Sequence, residues 1–112
     1  MTTYKLTKWG KTYKIGLTKA TYNSNGTLAI LMDDLGDNEP FATLTINLDD
    51  SNFMANDHMA FIDTNNLGWD IVKWLVDNEI ATDTGLKGFS GFCVYPLMMF
   101  NQKVLDQIPS AE

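Results

Sequence analysis

The chain predicts a single α+β domain over residues 1–112: an antiparallel sheet of four or five strands, one main helix packed across it, and a short C-terminal helix. Three observations predict it. Turn residues at 23–26 and 33–40 punctuate runs rich in β-branched and alternating apolar residues. Beyond residue 66 the apolar spacing changes to that of a helix. A chain of 112 residues, 45% hydrophobic and 20% charged, has enough material for one core but not two, and such a core folds without disulfide or metal.

The elements follow in order. KTYKIGLTKATY (11–22) is rich in threonine, tyrosine and isoleucine and reads as a strand. Asn23-Ser24-Asn25-Gly26 tolerates positive φ, and TLAILMDD resumes a strand, so residues 11–33 form a β-hairpin. DDLGDNEP (33–40) is turn chemistry again. In FATLTINL (41–48) the alternation turns Ala42, Leu44, Ile46 and Leu48 inward as the third strand of a meander. Residues 49–57 show no period and read as a loop before the apolar MAFI. The main helix spans Asn66 to Asn78, with Leu67, Ile71, Trp74 and Leu75 on its inner face and Asp70, Lys73 and Asp77 outside; Thr64, Asn65 or Asn66 supplies the N-cap oxygen. DTGLKGFSG (83–91) reads as a glycine-rich loop. In SGFCVYPLMMF (90–100), Phe92, Val94, Met98 and Phe100 share one face and Cys93, Tyr95, Leu97 and Met99 the other. Both faces are apolar, as in a strand buried on two sides, and Pro96 marks an edge or a bend. Asn101 caps a last helix with Val104, Leu105 and Ile108 inward, and disorder is confined to Pro109–Glu112.

Cys93 is the only cysteine, so no intramolecular disulfide forms; no apolar run reaches the length of a membrane span, and MTTYKLTKWGKTYK (1–14) carries lysines but not the apolar stretch of a secretion signal. A cytoplasmic protein is expected. The net charge of −6 is unevenly distributed: residues 1–22 carry five lysines and no acid, whereas residues 23–85 carry twelve acids against Lys73 alone. Arginine, the residue that reads phosphate and guanine with two parallel hydrogen bonds, is absent, which argues against direct nucleic-acid binding.

Chemistry finds little support in the residues. His58 is the only histidine and has no nucleophile near it in sequence; Cys93 sits in an apolar strand with no basic neighbour. Asp57, His58 and Asp63 fall short of a zinc signature, and DDLGDNE (33–39) lacks the calcium-loop pattern. The glycines match no phosphate-binding motif. Neither catalysis nor a cofactor is expected. What remains is the acidic middle, read either as charge that keeps a soluble protein dispersed or as partial mimicry of nucleic acid. A domain of this length is roughly 35 Å across. Duplex DNA carries one charge per about 1.7 Å, hence roughly 20 phosphates over that distance, which twelve acids match only in part.

YNSNGTLAILM, EPFATLTINL, FIDTNN and SGFCVYP, followed by Phe100, resemble a family of small proteins of unknown function carried by phages, plasmids and other mobile elements of Gram-positive bacteria. The resemblance implies no catalytic residue. It implies a setting in which short acidic proteins block host nucleic-acid enzymes, anti-restriction and anti-CRISPR proteins among them. The expected function is therefore inhibition of a basic host nucleic-acid-processing protein such as a CRISPR effector nuclease. The expected contacts are Asp33, Asp34, Asp37, Glu39, Asp49, Asp50, Phe53 and Asp57, with Met54 and Met59 as further apolar anchors. The alternative is an interaction module of phage or plasmid physiology without inhibitory role, a homodimer through the Tyr95–Phe100 edge.

Overall fold

The computed structural model describes residues 2–48 and 55–111. The described residues form two four-stranded antiparallel sheets and three short helices, where one sheet and one main helix were expected. The first sheet has strand order β1-β2-β3-β4: β1 (Tyr4–Lys8), β2 (Lys11–Thr21), β3 (Leu28–Asp34) and β4 (Glu39–Thr43). The second contains β5 (Thr45–Ile46), β6 (Met59–Ile62), β7 (Ala81–Ser90) and β8 (Cys93–Phe100), ordered β5-β6-β8-β7. Helices α1 (Thr64–Leu67) and α2 (Asp70–Asp77) follow β6, and α3 (Gln102–Gln107) follows β8.

The hairpin expected over 11–33 is β2–β3, paired from Ile15–Asp34 to Thr21–Leu28. The N-terminus adds a strand that composition did not reveal, because Trp9 and Gly10 turn the chain back within two residues and pair Lys8 with Lys11. The alternating run 41–48 is divided between the sheets at Leu44. Its N–H donates to Ile30 of β3 and its C=O accepts from Asp63 beyond β6, both at 2.9 Å, while its side chain is wholly buried. Alternation specifies which residues point inward, not which sheet receives them.

The expected helix over 66–78 is broken at Gly68, whose φ of +82° ends α1. A side chain there would meet Asp70 Oδ1 at 2.7 Å and Lys8 Nζ at 2.9 Å, because the Lys8–Asp70 ion pair crosses directly over it. The inward positions survive: Leu67, Ile71 and Leu75 are buried, and Lys73 pairs with Asp77 on the outer face. The cap is Asp63, one residue before the expected set, its Oδ1 accepting from Asn66 N–H at 3.3 Å.

The glycine-rich 83–91 is not a loop but most of β7. Its turn chemistry makes a local bulge: Gly85 N–H donates to Asp83 Oδ1, Leu86 N–H to Thr84 Oγ1, and Thr84 Oγ1–H to Leu97 C=O. The C-terminal segment is not loose either, since Lys19 N–H donates to Pro109 C=O and Ala111 N–H to Lys19 C=O, each at 2.9 Å.

The two faces of β8 enter two apolar clusters. Met98 and Phe100 join the main core with Ile15, Leu17 and Ile30 of the first sheet, Ile71 and Leu75 of α2, and Val104 and Leu105 of α3. Tyr95 and Leu97 pack with Leu48 and Phe61 on the other side. Pro96 lies beyond the end of the β6 ladder, which stops at Leu97, so β8 is locally an edge on that side and no ladder donor is missed.

Candidate functional site

The acidic residues singled out in sequence do not share one exposed field among the described residues. Asp33 is half-buried within β3, with Thr18 Oγ1–H donating to it at 3.4 Å. Asp34 is only 5% exposed; its Oδ1 accepts from the N–H groups of Gly36 at 3.0 Å and Asp37 at 3.3 Å, so it builds the β3–β4 turn. Asp37 and Glu39 are exposed, and Asp37 pairs with Lys11 at 3.4 Å. Carboxylate oxygens of Asp34, Asp37 and Glu39 lie within 4.8 Å of one another, at a shallow depression of about 230 Å³ that Asp33, Asp34 and Glu39 help to line. Asp57 is elsewhere. Leu28 N–H donates to Asn56 C=O at 2.9 Å, which sets Asp57 at the far end of β3, about 20 Å along the strand from Asp34. Asp49, Asp50, Phe53 and Met54 lie outside the described residues. Met59 is half-buried against the second apolar cluster. Two further acids are paired, Asp70 with Lys8 and Asp77 with Lys73.

His58 lies at a cleft of about 560 Å³ that is also lined by Val76, Glu79, Ala81, Thr82, Met99, Phe100, Asn101 and Gln102. Its Nδ1 bonds Asp57 Oδ1 at 2.8 Å, and that hydrogen bond holds the Asp57 carboxyl below the usual carboxylate range. Histidine and cysteine are not brought together. Phe100 N–H donates to His58 C=O, whereas half-buried Cys93 stands seven residues back along β8, about 23 Å away.

The feature that sequence reading missed is the tip of the β7–β8 hairpin. Ser90 pairs with Cys93, leaving Gly91 and Phe92 as a two-residue turn, with Gly91 at φ +58°. Phe92, assigned above to a core face, is therefore wholly exposed, and Phe89 (59%) and Leu86 (52%) stand open on the same hairpin. A glycine in the first position of a two-residue link between apolar strands is the signal that could have found it. The edge proposed for self-association is also corrected. Met98 and Met99 of β8 pair with β6 on one side and β7 on the other, so β8 is interior where the β6 ladder runs, and the outer strands of this sheet are β5 and β7.

No helix among the described residues is long and apolar enough to cross a membrane. No curated protein and no solved structure matches the chain. The family model described as a domain of unknown function (DUF4313) matches residues 16–110, and the chain belongs to that family.

Proposed function

We propose that this DUF4313 domain is a protein-binding module that docks through the tip of its β7–β8 hairpin. One observation carries the reading: Phe92, Phe89 and Leu86 are all exposed on the one β7–β8 hairpin. Exposed aromatic side chains of this kind are the usual anchors of protein interfaces. Three large apolar side chains bury about 450 Å² between them, roughly half of what one partner contributes to a standard interface. That suits a hairpin entering an apolar groove of a different protein better than a flat contact between two copies. A photo-crosslinking residue at position 92, with position 24 in the β2–β3 turn as control, tests it in producing cells. One heterologous protein should crosslink at 92, not at 24, and be lost in the Phe89→Ser variant. Crosslinks to copies of the chain alone, or the same products from both positions, would refute it.

A second reading is favoured by the carboxylates of Asp34, Asp37 and Glu39 converging at the β3–β4 turn. In this reading the domain inhibits a basic nucleic-acid-processing protein of a host cell by partial mimicry of nucleic acid, of the anti-CRISPR or anti-restriction kind implied by the resemblance to mobile-element proteins. Asp37 and Glu39 supply the contact, since Asp34 is committed to the turn. Reversing both to lysine should abolish inhibition of a nuclease panel, while the hairpin variants leave it intact; retained inhibition would exclude the turn. The inhibitor reading places the protein in the cytoplasm of the host cell.

A further inference from the structure

Trp9 occupies a position that the fold would assign to another residue. It opens the two-residue turn between β1 and β2 with φ +51°, followed by Gly10 at φ +74°. A turn with positive φ at both positions favours Asn-Gly, and a bulky side chain held there is a conformational outlier. Burial does not account for it, since Trp9 remains 67% exposed. Instead its ring lies nearly flat against Phe41, with centroids 5.7 Å apart and planes at 27°, while Tyr13 meets Phe41 edge-on at 4.8 Å. The three rings form an aromatic shelf at one end of the first sheet.

The same place already holds a cation. Lys11 Nζ stands 5.0 Å from the centre of the Tyr13 ring and 3.4 Å from Asp37 Oδ2, and Glu39 is two residues from Phe41 on β4. The Lys11–Asp37 pair is exposed on both sides and is therefore exchangeable. A flat aromatic face with a carboxylate at its rim suits the planar guanidinium better than a compact ammonium, because guanidinium stacks and forks at once. The chain contains no arginine, so no guanidinium of its own competes for the shelf.

We propose that Trp9, Tyr13 and Phe41, rimmed by Asp37 and Glu39, bind an arginine side chain of a partner protein. This stands on a different element from the hairpin reading. The probe is a capped Gly-Arg-Gly-Arg-Gly peptide, with citrulline, the uncharged isostere, replacing arginine in the control; binding is followed by the Tyr13 backbone amide resonance, which every variant retains, in nuclear magnetic resonance titrations. The arginine peptide should shift that resonance saturably and the citrulline peptide should not. Trp9→Asn supplies the side chain that this turn favours, so it should melt no lower than the parent yet bind about fivefold more weakly. Lys11→Ala should bind more tightly, since it vacates Asp37 and Tyr13. Equal binding of citrulline, or a Trp9→Asn affinity within twofold of the parent, would overturn the proposal. The measurement uses purified protein, so it is decided independently of whether any nuclease is inhibited.

Discussion

Replacing Gly88 by alanine should destabilise the domain by about 1–2 kcal/mol. Gly88 lies buried in β7 where the strand crosses the second apolar cluster, and a Cβ there would fall 2.7 Å from Leu48 Cδ1, 2.7 Å from Phe61 Cε1 and 2.9 Å from Phe61 Cζ. Carbon atoms prefer separations of about 3.5–4.0 Å, so the methyl group intrudes by roughly 1 Å on two side chains. Phe61 is fully buried and cannot swing away. Overpacking of this kind costs about 1–3 kcal/mol. The reduced backbone freedom of alanine in the unfolded chain returns about 0.4–1 kcal/mol. In urea unfolding followed by tryptophan fluorescence, the midpoint should fall with the slope unchanged, and the melting temperature should drop by roughly 4–8 °C for each kcal/mol. Truncating Leu48 to alanine removes one of the two obstructing groups. The Gly88→Ala change should therefore cost at least about 0.5 kcal/mol less on that background. A Gly88→Ala protein as stable as its parent, or costs that simply add in the double variant, would refute the close approach of β7 to Leu48 and Phe61.

Asp34→Ala should lower stability by about 2 kcal/mol, because two turn N–H groups lose their acceptor, whereas Asp34→Asn retains an accepting oxygen and should be nearly neutral; urea midpoints of the two variants decide it. The Lys8 ammonium, donating to Asp70, holds that carboxyl below its ordinary value of 3.8 in the folded protein. A lowered folded value stabilises above the unfolded value, and that contribution disappears as pH falls through the folded one. Asp70→Asn should accordingly melt below the parent near neutral pH, with the gap closing as pH drops below 3.8 in a series of thermal melts.

Local patterns were readable wherever the determinant was local. Asn23–Gly26 marks the β2–β3 turn, the i, i+4 recurrence of Leu67, Ile71 and Leu75 marks the buried helical face, and the doubly apolar run at 93–100 marks a strand between two clusters. What failed depended on contacts far apart in sequence. Gly68 ends α1 at φ +82°, and the Lys8–Asp70 ion pair that leaves no room for a side chain there joins residues sixty-two apart. The run from Asp83 to Ser90 became a strand because β8 pairs with it, although its glycines read locally as a loop. The acids were all visible as residues, but Asp34 turns inward and Asp57 is carried to the opposite end of β3 by the bond between Leu28 and Asn56, and neither fact is encoded in charge spacing.

The aromatic residues divide along the same line. Phe61 and Phe100 are buried, and burial accounts for them. Trp9 and Phe92 instead occupy two-residue turns at the ends of different hairpins, in different sheets, where Asn, Asp or Gly would connect the strands at least as well. Neither residue adds much to the core, and Trp9 carries a backbone conformation unfavourable to its bulk. Packing therefore predicts that both can be replaced at little or no cost in stability. If the Trp9→Asn and Phe92→Ser proteins melt like the parent, whatever role these side chains serve lies outside folding, as the proposed docking sites require; a marked loss of stability in either would return that ring to packing.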